Sequence, residues 1–201
     1  MLVTTALGAL PLENAIVSVS TVPDESGMRT LLHSVTTDSG GMTESSEDVW
    51  GSHVPYLRAV RDTPLGTMPW TKTMSTADLE KKLAAKGHNI GRLRAIELSP
   101  LAVGRAAKDR TASGRVKAMT VTGTKGSVTL SGTAWRSLLG LKSTLFDAKL
   151  TKDTVTFTGF GAGHGLGISQ RGAERLAETG KSYADILHYY YTGVTLQHNS
   201  Y

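Results

Sequence analysis

The chain has 201 residues, no cysteine and a formal net charge of +5, with 39% hydrophobic residues and 22 glycines. That is long enough to bury a proper core and too apolar for a disordered tail, and the glycines predict many loops. The missing cysteines exclude disulfides and thiolate metal sites, and no apolar run reaches membrane-spanning length.

Residues 1–14 (MLVTTALGALPLEN) hold a short apolar stretch with no basic residue ahead of it and Glu13 close behind. This makes a poor signal peptide, and a start inside a longer protein explains it better. Residues 15–22 (AIVSVSTV) alternate apolar and small polar side chains and predict a strand, followed by a turn over 23–27 and a second strand over 31–35. Ser39, Gly40 and Gly41 open a polar loop running to Trp50, either a functional loop or a solvated connection with Trp50 packed beneath it. Residues 54–60 (VPYLRAV) predict a strand, and two prolines and a glycine predict irregular chain over 62–74. Ser75 then caps a helix, with Asp78 at its third position, Leu79 and Leu83 inward and Gly87 past its end.

Residues 92–98 (RLRAIEL) predict a short strand, and VKAMTVT and SVTLSG flank a hairpin turn at Gly123 to Gly126. Thr133 caps a short helix buried through Trp135, Leu138 and Leu139, and residues 154–159 (TVTFTG) form a last strand. Strands and helices do not alternate regularly, which predicts α+β rather than a doubly wound parallel sheet. Charge is unevenly spread. Residues 1–50 carry one basic and seven acidic side chains, a balance of −6, and residues 81–117 carry ten basic and two acidic, a balance of +8. The basic sector points to an anionic polymer, or to a solvated face.

Gly159, Gly161, Gly163, Gly165 and Gly167 fall at every second position, so in extended chain one face carries no side chains at all. Such a run is costly unless something lies directly against the backbone. His164 is its one ionisable group, placed either to meet a closely approaching ligand or to brace the turn. Ser169 and Gln170 follow at the start of a helix, where free N–H groups favour an anion or a hydroxyl. Ala173, Leu176 and Ala177 give that helix its apolar stripe, and Gly180 closes it. Ser182 and Asp185 form a capping box for a second helix that buries Ile186, Leu187 and Tyr190 and ends at Gly193. Tyr189, Tyr190 and Tyr191 divide between core and rim. The glycines miss the dinucleotide fingerprint, Gly180-Lys181-Ser182 lacks the upstream glycine of a phosphate loop, and GISQRG misses a nucleophile elbow by one residue.

The pattern G-x-G-x-G-H-G-x-G-[MI]-S-Q-x-G-A, followed by G-x-x-Y-x-x-I-L-x-x-Y-Y-x-G, is met at every quoted position from Gly159 to Gly193. It resembles the C-terminal signature of the SpoIID/LytB family, cell-wall proteins that include the sporulation lytic transglycosylase and the amidase enhancers. The resemblance extends to 39–60 and 126–146. It is clearest over 33–60 and 115–196, within one SpoIID-like domain spanning 1–201 and truncated at its N-terminus. It implies a glycan groove that includes Ser39, Gly40, Gly41 and Trp50, since sugar rings stack on aromatics and bond to short polar side chains. His164, Ser169 and Gln170 complete the candidate substrate-binding set.

In that family one glutamate, in a motif resembling P-A-E-M-P, protonates the bond between N-acetylmuramic acid and N-acetylglucosamine, and the muramic 6-hydroxyl closes an anhydro ring. The 201 residues contain no such motif, and Glu13 stands too close to the S-G-G loop to take the role. No catalytic residue is assigned. Glu44 and Glu47 read as solvated loop carboxylates, and Glu174 and Glu178 as surface charges. With no cysteine and histidines scattered at 33, 53, 88, 164, 188 and 198, neither a metal nor another cofactor is expected. Two functions follow: a peptidoglycan-binding relative of the lytic enzymes that is catalytically incomplete, or a non-catalytic wall-polymer module that engages a cell-wall amidase. By the resemblance the place of action is the cell wall, outside the cytoplasm. Nucleic acid is not an expected partner, because the basic sector has no interleaved aromatics.

Overall fold

The computed structural model describes residues 38–62 and 66–196, together with the backbone of three short strands, β1 (Val19–Ser20), β2 (Leu31–Leu32) and β3 (Val35–Thr36). β1 and β2 pair antiparallel. The remainder of the strand expected over 15–22, the turn over 23–27, and His33 and His198 lie outside the described residues.

Two three-stranded antiparallel sheets carry the first core. One has the order β4 (Trp70–Ser75), β9 (Thr154–Gly159), β8 (Phe146–Leu150), and the other β5 (Leu93–Glu97), β6 (Ala118–Gly123), β7 (Ser127–Ser131). Period-two burial is clear where it matters: Val155 and Phe157 on β9 and Met119 and Val121 on β6 point inward. Helix α2 (Thr76–Ala84) adds Leu79 and Leu83, and α3 (Gly132–Leu139) adds Trp135 and Leu139. Each such side chain contributes about 1.5–3 kcal/mol by leaving water. Trp135 also donates its indole N–H to the Met119 carbonyl at 2.9 Å, so its one polar atom is satisfied inside the core.

A second core forms where α4 (Gln170–Glu178) and α5 (Tyr183–Tyr190) meet Leu57, Leu166 and Ile168. It is tied to the start of the described chain by β10 (Ile168–Ser169), which pairs parallel with β3. The class is α+β, as the irregular order of elements predicts.

Several local expectations are corrected. The loop after Gly41 contains a helix, α1 (Ser46–Trp50), which Gly51 ends at φ +77°. VPYLRAV is not a strand: its partner, residues 43–46, turns into α1 after two backbone–backbone bonds, Thr43 N–H to Val60 O and Ser46 N–H to Leu57 O, and the Ala59 and Val60 amides bond instead to the Ser45 and Thr43 hydroxyls, so no ladder grows. The irregular chain after Asp62 is shorter than expected, because the alternation of Trp70-Thr71-Lys72-Thr73-Met74 takes over directly after Pro69 as β4. Helix α3 is capped by Ser131, whose Oγ accepts the Ala134 N–H at 3.2 Å, and Thr133 hydrogen-bonds to that same hydroxyl. Ser75, Ser169 and Ser182 cap as predicted, the last within a complete capping box.

The glycine run is the largest correction. Beyond Gly159 the chain is not extended: Gly161, Gly163, Gly165 and Gly167 all have positive φ, between 68° and 95°. A regular strand cannot contain such residues, so the run snakes between other segments. Ala162 bridges to Asp38, Gly163 to Ser143 and Leu166 to Glu44.

Candidate functional site

The run meets the 38–44 segment at a polar junction between the two cores. Glu44 donates its backbone N–H to the Gly165 carbonyl at 2.8 Å and turns its side chain inward, where it is 2% exposed. Its Oε1 accepts from Thr111 Oγ1 at 2.6 Å and from the Ser113 hydroxyl, with Arg115 Nε 3.8 Å away. Arg115 is equally buried and donates to the Ser39 carbonyl (2.6 Å) and Thr144 Oγ1 (3.2 Å). Its guanidinium lies flat against Gly165, where an added Cβ would land on Nε. Only glycine fits there, for reasons of both space and φ.

Burial dominates the electrostatics of this pair. It pushes the Glu44 carboxyl above its usual range, with the Ser113 and Thr111 hydroxyls and Arg115 opposing. It pulls Arg115 down to about 10, with Glu44 and Asp38 opposing, so the guanidinium remains charged at neutral pH.

His164 is half-buried at the mouth of the junction. Its Nδ1 accepts the Leu166 N–H at 2.9 Å, which places the proton of the neutral ring on Nε2. Burial, then Arg115 and Arg136, hold its pKa below the ordinary value of 6.5. At neutral pH the ring is uncharged, and Nε2 has no hydrogen-bond partner among the described residues. The His164 side chain borders a crevice with about 20 Å³ of free space, also lined by Glu44, Asp48, Arg115, Thr133 and Thr144. That is room for roughly one water-sized group.

Of the candidate substrate-binding residues, His164 alone lines this crevice. Ser39 is buried behind it: its carbonyl holds Arg115, and its hydroxyl donates to Asp62, which also accepts from the Tyr190 hydroxyl. Gly40, at φ +72°, packs on Leu145 and Phe160, and Gly41 bonds to Ser39 Oγ and Asp62 N–H. Trp50 is 44% exposed at the end of α1, two residues beyond Asp48. Ser169 is buried and occupied in capping α4, whose first residue is the half-buried Gln170. Tyr190 and Tyr191 are in the core and Tyr189 is on the rim.

Glu44 is therefore not a solvated carboxylate, and Arg110 and Arg115 are not part of a solvated basic face. Arg110 is 1% exposed and donates to the carbonyls of Ser99, Gly114 and Phe146. The signal for the junction lies in Thr111-Ala112-Ser113-Gly114-Arg115. It sets two hydroxyls and a cation at alternate positions, with Gly114 at φ +86°. Glu47 is exposed and gripped by Arg58 through two bonds of 2.7 and 2.8 Å, which hold its carboxyl down to about 2. Among the described residues no three histidine, aspartate or glutamate side chains gather as a metal site, and no helix is long and apolar enough to cross a membrane.

Residues 65–167 match the family described as a domain of unknown function (DUF8618). The chain is 34% identical over 170 residues to stage II sporulation protein D of Bacillus amyloliquefaciens, covering 79% of this chain and 42% of that protein. With stage II sporulation protein D of Bacillus subtilis (strain 168) it shares 35% over 167 residues, 79% of this chain and 43% of the relative. With the amidase enhancer of the same organism it shares 32% over 203 residues, 79% of this chain and 28% of the relative. The chain thus spans less than half the length of these curated relatives. It belongs to the DUF8618 family and to the SpoIID/LytB group that these relatives represent.

Proposed function

We propose that these residues hold a peptidoglycan glycan strand in a SpoIID-type cell-wall protein acting outside the cytoplasm, and that alone they do not cleave it. The observation that carries this reading is the division of labour on His164. Nδ1 braces the glycine run, and Nε2–H is left as a neutral donor at a crevice rim. A neutral donor suits a sugar hydroxyl or acetamide carbonyl, and the exposed Trp50 on neighbouring α1 supplies a face on which a sugar ring can stack. Cleavage needs an acid with access to the glycosidic oxygen. Glu44 is enclosed by Thr111, Ser113 and Arg115, and Glu47 is held ionised by Arg58.

His164→Asn separates the two nitrogens, because the Asn side-chain oxygen can replace Nδ1 while nothing replaces Nε2–H. Loss of about 1 kcal/mol of binding, some fivefold in affinity for purified glycan strands at an unchanged melting temperature, is the expected outcome. Undiminished affinity would remove His164 from the site. Incubation of the wild-type chain with the same strands is expected to release no anhydro-muropeptides by mass spectrometry. The likeness to an amidase enhancer favours a second reading, in which the chain also engages a wall amidase. An unchanged amidase rate in its presence would count against that.

A further inference from the structure

A second concavity shares no residue with the His164 crevice. It is an open cleft of about 510 Å³ between α2 and the tip of the β6–β7 hairpin, within the range of ligand sites. Its geometry follows from the chain. Ala77 and Ala84, seven residues apart on α2, leave room on the cleft face on either side of Glu80 and Lys81, and the hairpin tip is fastened opposite. Lys125 N–H bonds to the Ile90 carbonyl (2.8 Å), Thr124 N–H to the Arg92 carbonyl (2.9 Å), and Arg92 N–H to Thr124 Oγ1 (3.0 Å). Gly91 and Gly123 are too close to this clasp to accept a Cβ. The walls are therefore fixed by backbone bonds.

Three cations line the cleft from three segments: Lys81 on α2, Arg92 before β5 and Lys125 on the hairpin. Among the described residues none of the three is in an ion pair. The one lining acid, Glu80, is held to the backbone through the Leu93 N–H at 2.7 Å, which leaves the cleft net positive. Thr124 Oγ1, already an acceptor, still has its own proton to donate.

We infer that this cleft binds an anionic phosphodiester polymer with a polyol backbone. Cations on three segments match charges repeated along a chain better than one isolated anion, and the Arg92 fork suits phosphate oxygens. The Thr124 hydroxyl suits a polyol. No aromatic side chain lines the cleft, so nothing there stacks a base, which disfavours single-stranded nucleic acid.

The test is binding of soluble poly(glycerol phosphate) to the 201-residue chain across a salt series. The variant Lys81→Gln/Arg92→Gln/Lys125→Gln is compared with Lys149→Gln/Lys152→Gln/Arg171→Gln, which removes three exposed cations elsewhere. The cleft variant is expected to lose affinity by about tenfold or more and to lower the salt slope by about 2, with an unchanged melt. The second variant is expected to bind as the wild type does. Equal losses in both variants, or none in the first, would overturn the site. Displacement by millimolar inorganic phosphate, or equally tight, cleft-dependent binding of oligo(dT) or poly-γ-glutamate, would overturn the ligand class. Phosphate-free glycan strands, which address His164, are expected to bind the cleft variant normally, so the two sites fail independently.

Discussion

Glu44 and His164 answer acid in opposite senses. The Glu44 pKa is raised by burial, so the stability it contributes is full below its ordinary 4.5 and is lost as pH rises through the folded value. The His164 pKa is lowered, so its contribution is full above 6.5 and is lost as pH falls through the folded value. Denaturant melts at several pH values should therefore show Glu44→Gln flattening the profile above 4.5 and His164→Asn flattening it below 6.5. The size of the Glu44 effect depends on what remains. Gln keeps an acceptor for the two hydroxyls and removes only the carboxyl whose ionisation burial opposes, so its cost should be well below that of Ala. Glu44→Ala leaves both hydroxyls without their carboxylate acceptor and the buried guanidinium without its counter-charge, a loss of about 3–5 kcal/mol. A melting temperature unmoved by Glu44→Ala would mean that the junction is not holding the two cores together.

At the level of elements, the glycine run and the helices around it are fitted by contact as well as by conformation. Gly165→Ala places a methyl on the Arg115 guanidinium at φ +86°, and a cost of about 1–3 kcal/mol or more is expected from overpacking and backbone strain together. Gly172→Ala, inside α4, drives a Cβ into Asp62 and the Tyr190 hydroxyl. It should be destabilising despite the better helix propensity of alanine. Ser182→Ala, by contrast, should cost only about 1 kcal/mol, the ordinary value of an exposed cap. These caps were legible in the sequence because a cap is a contact between residues three apart. The α+β class and the hairpin were legible because period-two patterns and turn residues are also local. The Glu44–Arg115 junction was not. Its partners come from opposite halves of the chain, and a lone glutamate in a polar loop looks the same whether its loop faces water or folds inward. The glycine alternation was visible, but its conformation was not, since spacing alone cannot distinguish an extended glycine from a left-handed one.

At the scale of the whole molecule the two proposed recognition surfaces differ in chemistry: a neutral donor at the junction of the cores and a cationic cleft beside the first core. Because they share no lining residue, the binding losses of His164→Asn and of the cleft variant should add within about 0.5 kcal/mol on intact wall material carrying both polymers. Marked non-additivity in a sedimentation assay would mean that one polymer spans both. The parallel pairing of β3 with β10 bears on a different matter, the order of assembly. The β8–β9 and β6–β7 hairpins close between neighbours in sequence, whereas the bond from Glu44 to Gly165 must bridge more than half the chain. Long-range closure is slow, and a growing chain cannot attempt it until Gly165 has been synthesised. The β6–β7 and β8–β9 hairpins should thus be in place while the rim at His164 is still open. In pulsed hydrogen exchange during refolding, the amides of Val121 and Leu130 should gain protection before those of Glu44 and Leu166.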